Sequence, residues 1–338
     1  MNTVRLAENG IIPTWLIRAG IRMRLKRKLE QEQDRHPAFK ETFVKMLRNS
    51  PIAIATDDAN DQHYQVPTDF YKTILGPCLK YSACYWPEGV ETLQAAEIAS
   101  LELVAERAQI DNGHSILDMG CGWGSFSLWA ASQFPDSQIL AVSNSLTQAQ
   151  YIRSEAEKRG LGNLNVVTQN MVEFDPEQSF DRIVSIEMFE HMRNYEMLFR
   201  RVSGWLKPGG RLFVHVFSHK TYTYDYDDSD PSDWMSNYFF TGGIMPSHDL
   251  FSHFNQDLQI DEDWKLNGMH YTRTLEAWLD NLDAEFDYIH PLFMNHYGKD
   301  STKQWINRWR MFILACSELF GYKNGTEWGI SHYRFKKS

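Results

Sequence analysis

Ile116-Leu117-Asp118-Met119-Gly120-Cys121-Gly122-Trp123-Gly124 carries the fold of this chain. An apolar run enters a turn with glycine at every second position, and a helix-like period follows. Glycine adopts backbone conformations closed to other residues and lets a ligand approach the main chain closely. The dinucleotide fingerprint, Gly-x-Gly-x-x-Gly, opens a helix onto a pyrophosphate. Here the third glycine comes one residue early, and Asp118 stands just before the turn. A carboxylate at that point repels a pyrophosphate but pairs with a cation, such as the amino group of a methionine moiety. The alternative is a structural strand-to-helix turn that holds no ligand.

Outward from this turn, short apolar runs alternate with helical periods. The runs cover residues 115–119, 138–142, 165–168, 181–186 and 210–217, with helix-like stretches near 124–133, 146–160 and 190–206. Strand and helix in alternation predict an α/β fold with a doubly wound, mostly parallel sheet. Lys207-Pro208-Gly209-Gly210 marks a stop between a helix and the next strand. Beyond Ser218 the alternation ends. Residues 219–233 are polar and acidic and predict a surface loop. Aromatic-rich segments at 234–240 and 264–278 follow, then a helix near 300–320 and a strand-like run at 329–337.

In a doubly wound sheet, ligands bind at the carboxyl ends of the strands. The second strand ends in Ser143-Asn144-Ser145 with Gln148 beyond. No acid stands there for ribose hydroxyls, so Asn144 and Gln148 are the candidates. The third leads to Gln169-Asn170-Met171, where Asn170 can meet an adenine amino edge and Met171 can cover the ring. With Asp118, Gly120, Cys121 and Gly122 these segments make one candidate adenosyl site. The fourth strand ends in Ile186-Glu187-Met188-Phe189-Glu190-His191 and should emerge at the same crevice. If a helix starts near Glu187, then Glu187, Glu190 and His191 share one face. Glu190 beside His191 would give a supported general base. The plainer reading is an acid at a helix start, where carboxylates are favoured, followed by a core histidine.

Length and composition bound the rest. A chain of 338 residues suits one main α/β domain with helical additions. The hydrophobic share of 43% and aromatic share of 14% suffice for a packed core and an aromatic pocket. The net charge of −10 argues against general nucleic-acid binding. Four cysteines without CxxC spacing suggest neither a zinc site nor a disulfide framework. No apolar run approaches the roughly 20 residues of a membrane span, and arginines interrupt the N-terminal apolar stretches, so a cytoplasmic enzyme is expected. Residues 1–50 look helical, with Arg18, Arg22, Arg24, Lys26, Arg27 and Lys28 clustered among apolar side chains. Such a helix can pack on its own domain, cover a pocket or sit on a membrane surface.

Several motifs carry a family resemblance from about Tyr81 onward. They are Tyr81-Ser82-Ala83-Cys84-Tyr85, Leu117 to Gly122, Asn144-Ser145, Glu187-Met188-Phe189-Glu190-His191-Met192-Arg193-Asn194-Tyr195 and His219-Lys220-Thr221. Asp233-Trp234-Met235, Phe240-Thr241-Gly242-Gly243, Phe320-Gly321-Tyr322 and Glu327-Trp328 extend them. The chain resembles the coclaurine N-methyltransferase family of benzylisoquinoline alkaloid enzymes, itself related to cyclopropane fatty acid synthases. The resemblance implies a class I methyltransferase, Rossmann-like fold with an N-terminal helical cap over 1–80 and a cofactor domain over 81–338. Helical substrate-pocket insertions would fall at about 219–325.

The resemblance also implies S-adenosyl-L-methionine as cofactor and a small-molecule amine as substrate. Glu187, Glu190 and His191 would hold the amine and assist its deprotonation, and Tyr81 and Ser82 would contact the cofactor's amino-acid end. In the lipid branch, Glu190 and His215 help hold a bicarbonate base together with Tyr271 and a cysteine at the position of Ala83. This chain has alanine there, with Cys84 displaced by one. Cys316 matches a cysteine sometimes treated as an active-site residue in the lipid enzymes and is read here as a helix residue. Trp234, Tyr238, Phe240, Tyr271 and Trp328 are candidates for an aromatic box around a cationic ring, each having core packing as its alternative. The competing functions are carbon methylation or cyclopropanation of an unsaturated lipid, and a non-catalytic cofactor-binding scaffold. A homodimer is compatible with all three.

Overall fold

A computed structural model of the protein describes residues 3–36, 38–54, 66–226 and 234–337. The acidic residues Asp227, Asp228, Asp230 and Asp233 of the expected loop lie outside the described residues. The sheet has seven strands in the order β3-β2-β1-β4-β5-β9-β8. They are β1 (Ser115–Met119), β2 (Gln138–Ser143), β3 (Leu164–Thr168), β4 (Phe180–Ile186), β5 (Leu206–His219), β8 (Leu258–Asn267) and β9 (Trp328–Lys337). A separate two-stranded ribbon pairs β6 (Tyr224–Asp225) with β7 (Ile244–Met245). Strands β1 to β5 pair in parallel, whereas β9 runs antiparallel to both β5 and β8.

Every strand expected from the sequence is present. Leu117, Ile183, Val184, Leu212 and Val214 are fully buried, because helices cover both faces of the sheet. From β1 the chain winds outward through β2 and β3, then returns to the other side of β1 as β4. That reversal opens a crevice between the carboxyl ends of β1 and β4, the usual ligand position in such sheets. The Lys207 to Gly210 stop appears as an irregularity at the start of β5: Phe180 pairs with Leu206, but Arg182 pairs with Arg211.

The helices, in chain order, begin with α1 (Thr3–Glu8), α2 (Thr14–Arg35), α3 (Ala38–Asn49), α4 (Thr68–Ile74) and α5 (Leu93–Ala108). The sheet helices are α6 (Ser125–Gln133), α7 (Leu146–Arg159) and α8 (Tyr195–Trp205). After them come the short α9 (Trp234–Tyr238), then α10 (Met269–Ala284), α11 (Phe286–Tyr297) and α12 (Thr302–Gly321). Side-chain caps fix several starts. Thr92 accepts from Ala95 N, Ser145 from Gln148 N and Asn194 from Met197 N.

Helix α2 packs on the protein's own helices. Ile17, Ile21, Leu25 and Leu29, spaced four apart, face the cluster that contains Trp278, Trp309 and Trp328. Arg18 donates to Glu276 and Glu318, and Arg22 to Glu318, fastening α2 to α10 and α12. Among the described residues no helix is long and apolar enough to cross a membrane.

Three stretches depart from the sequence reading. In the expected 219–233 surface loop, His219, Thr223 and Tyr224 are buried and Tyr224–Asp225 forms β6. The expected 264–278 segment divides between the end of β8 and the start of α10. Strand β8 itself was not foreseen, because Asp261, Glu262, Asp263 and Lys265 break any apolar run. As an edge strand it is held by main-chain pairing to β9, and its charges discourage pairing with other chains.

Candidate active site

A cavity with about 540 Å³ of empty space opens where β1 gives way to the glycine turn. Of the expected cofactor residues, Tyr81, Ser82, Asp118, Gly120, Cys121, Gly122, Gln148 and Ile186 line it, together with Glu187. Gly120 has φ +80°, and a Cβ there would meet the Met188 side chain at 2.9 Å. Gly122 has φ +53°, and a Cβ there would meet no protein atom within 4 Å. The first glycine is required by the turn and its neighbour, the second by the turn alone. Asn144 follows β2, and Asn170 and Met171 follow β3, but none of the three lines this cavity. Asn170 Oδ1 accepts from Val172 N at 3.0 Å, and Met171 packs with Met119 and Val142 in the core.

Among the described residues, three buried polar atoms around the cavity find no hydrogen-bond partner: Trp123 Nε1, Ser125 Oγ and Gln148 Nε2. Gln148 Oε1 is already taken by Ser143 Oγ at 2.8 Å, so the amide nitrogen is the half left over. Buried donors without acceptors cost free energy unless a ligand completes them. With Asp118 this set fits a ligand bearing a cationic amine alongside carboxylate and hydroxyl oxygens. Trp123 and Ser125 were not foreseen, although both stand within the quoted turn and its helix start.

Asp118 is fully buried and accepts from Ser127 Oγ. Burial pushes its carboxyl from 3.8 up to about 7, against the lowering by the Ser127 hydrogen bonds. A carboxyl raised in this way holds its proton below about pH 7 and is ionised above it. Affinity for a ligand with an ammonium group should therefore weaken as pH falls from 8 to 6, by on the order of tenfold. Calorimetric titration would check this, and Asp118→Asn should bind weakly at pH 8 with little change toward pH 6.

Beyond Ile186 the sequence reading placed Glu187, Glu190 and His191 on one face of a helix. The structure corrects this. Glu187 takes a left-handed φ of 48°, and a single 3₁₀ turn, Phe189–His191, follows. The three side chains therefore do not share a helix face, although Glu187 still feels the charge of His191 and Glu190 feels that of Glu187. Non-glycine residues in the left-handed region persist where surrounding bonds over-determine them. Here Glu187 N donates to His215 O at 2.8 Å.

The Glu187 carboxylate is held by three polar neighbours. Ala83 N donates to Oε1 at 2.9 Å, His215 Nε2 lies 3.2 Å from Oε1, and Tyr271 Oη donates to Oε2 at 2.7 Å. The resemblance to the lipid branch had placed Glu190 with His215 and Tyr271, but it is Glu187 that these residues grip. Glu190 is 1% exposed, and its Oε2 finds no partner among the described residues. Burial, and next the Glu187 charge, push the Glu190 carboxyl well above its ordinary range. Burial leaves the Glu187 carboxyl raised as well, with the nearby Lys80 charge and the Ala83 and Tyr271 hydrogen bonds opposing it. Of this pair Glu190 is thus pushed higher and Glu187 is the one that ionises first.

His191 is half-buried, and its ring lies 4.8 Å from that of Phe240. Phe240 also meets Phe217 and Tyr226, at 5.7 and 4.8 Å. Tyr271 stacks on Phe320 at 4.4 Å, and Tyr81 on Trp278 at 5.6 Å. Of these rings, Phe240 meets His191 and Tyr271 meets Glu187 directly. The other aromatic candidates sit elsewhere. Trp234 Nε1 donates to Glu8 at 3.0 Å, and Tyr238 Oη accepts from Arg308 at 3.0 Å, so both fasten α9 to α1 and α12. Trp328 is fully buried and donates to Tyr224 Oη at 3.0 Å. Cys316 lies partly buried on α12, its thiol pushed up to about 12 by burial.

Sequence reasoning also missed Lys80, Glu97, Arg107 and His332. Lys80 is buried and donates to Ser82 Oγ at 2.7 Å and to Ala83 O, which shapes the irregular segment at the cavity. Glu97 from α5 accepts from Cys78 N and Lys80 N, at 2.9 and 3.1 Å. A lysine abutting the Tyr81-Ser82-Ala83 motif was the one signal available for this pair.

A family model described as mycolic acid cyclopropane synthetase matches residues 54–327. The (S)-coclaurine N-methyltransferase of Thalictrum flavum subsp. glaucum is 40% identical, over 98% of this chain and 94% of its own length. The chain belongs to the coclaurine N-methyltransferase family. A crystal structure of a coclaurine N-methyltransferase bound to N-methylheliamine and SAH superposes with a TM-score of 0.95 at 38% identity, covering 99% of both chains. A cyclopropane synthase from Mycobacterium tuberculosis shares the fold, with a TM-score of 0.71 at 21% identity over 86% of this chain and all of its own. Coclaurine N-methyltransferase relatives therefore match the chain end to end, including α1 and α2.

Proposed function

We propose that this protein is an S-adenosylmethionine-dependent N-methyltransferase acting on a cyclic, tetrahydroisoquinoline-like amine. The observation that carries the proposal is the Glu187 carboxylate, anchored by Ala83, His215 and Tyr271 at the edge of the cavity, with His191 beside Phe240 close by in sequence.

Bound S-adenosylmethionine supplies a sulfonium-activated methyl group, and the residues around the cavity fit it. Asp118 suits its amino group, while Trp123, Ser125 and Gln148 offer donors to its oxygens. Asn144, Asn170 and Met171 follow β2 and β3 without lining the cavity, and only their place at the carboxyl side of the sheet assigns them to ribose and adenine. Glu187 holds the substrate ammonium by charge and hydrogen bonding. A protonated amine has no lone pair to receive a methyl. His191 takes that proton, and Phe240, Tyr271 and Tyr81 favour a cationic ring through their faces. The remaining rate comes from alignment of nitrogen and methyl.

Mass spectrometry of products from a labelled methyl donor tests the reading, with cyclic amines in one arm and unsaturated phospholipid vesicles in the other. Label is expected on secondary and tertiary cyclic amines. Label on acyl chains alone would replace the proposal with carbon methylation, and label in neither arm would remove it.

A further inference from the structure

Behind Glu187 runs a buried line of side chains that the methyl-transfer reading does not use. Arg107 on α5 donates from Nη1 to His332 Nδ1 at 2.7 Å. His332 Nε2 lies 2.9 Å from His215 Nδ1, and His215 Nε2 lies 3.2 Å from Glu187 Oε1. The two histidines face each other in register across β5 and β9, both essentially without solvent contact. The Arg107 guanidinium lies 4.7 Å from the centre of the Trp264 ring.

This line admits one polarity when the imidazoles are neutral. Arginine has only donors and keeps its proton, so His332 Nδ1 must accept. A neutral imidazole that accepts at Nδ1 carries its proton on Nε2. His332 therefore donates to His215, and His215 in turn donates to Glu187. Without the arginine both rings could invert together. A bare His215 Nε2 would then face the carboxylate, and Glu187 would take up a proton to bridge the gap.

We infer that Arg107 and His332 are positioning residues, which lie outside the cavity and lock the tautomer of His215 so that Glu187 stays an anion toward the substrate amine. The inference rests on the methyl-transfer reading for its consequence but not for its geometry. Burial keeps both imidazoles neutral, aided by the Lys80 and Arg107 charges. The other groups facing the line are Tyr85, Glu106 and Glu262 near Arg107, His270 and Cys84 around the small cavity beside the histidines, and Arg334, which donates to Arg107 O at 3.2 Å. None of these supplies His332 Nδ1 with a donor in place of Arg107.

The direct test is the long-range ¹⁵N–¹H spectrum of the imidazoles in the full chain. Both His215 and His332 should appear as Nε2–H tautomers, and an Nδ1–H form of either in the wild type would overturn the inference without any variant. Arg107→Leu should give mixed or inverted tautomers. It should also move the acid limb of kcat/KM for an accepted amine upward by about one pH unit, since an extra proton is then held at Glu187 or the imidazoles. Cofactor affinity should stay unchanged. Arg107→Lys and His332→Gln preserve the polarity and should restore the wild-type limb. A folded Arg107→Leu protein with an unmoved limb would sink the inference. A wild type that methylates no amine would sink the proposed function while leaving the tautomer measurement to stand by itself.

Discussion

Replacing His191 with alanine should lower kcat by on the order of 10²–10⁴, the usual scale for losing a general base. The side chain sits on the last residue of the Phe189–His191 turn, held by its own N–H to Met188 O at 3.0 Å, with its ring against Phe240. It lies outside the cavity lined by Asp118 and Gln148, so cofactor affinity should be preserved. The loss should also shrink toward high pH, where more of the amine arrives already deprotonated. Turnover unchanged across the pH range would strip His191 of the role of base.

Glu187→Gln should act differently, through binding. The amide keeps the shape but loses the charge, and one of its ends presents N–H to donors already there: Ala83 N, His215 Nε2 or Tyr271 Oη. Removing one side of a buried charged pair typically costs about 2–5 kcal/mol. The expected fall in kcat/KM is thus on the order of 10²–10³, with KM for the amine rising. Burial holds the Tyr271 phenol well above its ordinary range, so it remains a donor and cannot adapt by ionising. Glu190→Gln is the contrasting variant. Burial and the Glu187 charge push its carboxyl toward the protonated form, which an amide imitates, so kcat/KM should stay within about tenfold of wild type. Steady-state kinetics on one accepted amine would separate the three. A Glu190→Gln loss as large as that of Glu187→Gln would return Glu190 to the site as a charged group.

The sheet was legible because its signals are local. The apolar runs, the glycine spacing from Gly120 to Gly124 and the strand-ending Glu187 segment each lie within a few residues. Apolar period and turn chemistry act over that range, and they set which residues can form strands β1 to β5. Strand β8 escaped because its place is set by pairing to β9, which needs no apolar pattern of its own.

The amino-acid sequence by itself determined the alternation of elements, the conformation of the glycine turn and which titratable groups reach the ends of the strands. Tertiary structure alone decided what each of those groups became. The left-handed backbone at Glu187 sent it to the cavity and left Glu190 in the core, where an uncompensated charge is not sustained. Likewise Arg107 meets His332 across 225 residues of chain. A side chain's ionisation depends on which donors and charges surround it in space, and spacing along the chain says little about groups brought together only by packing.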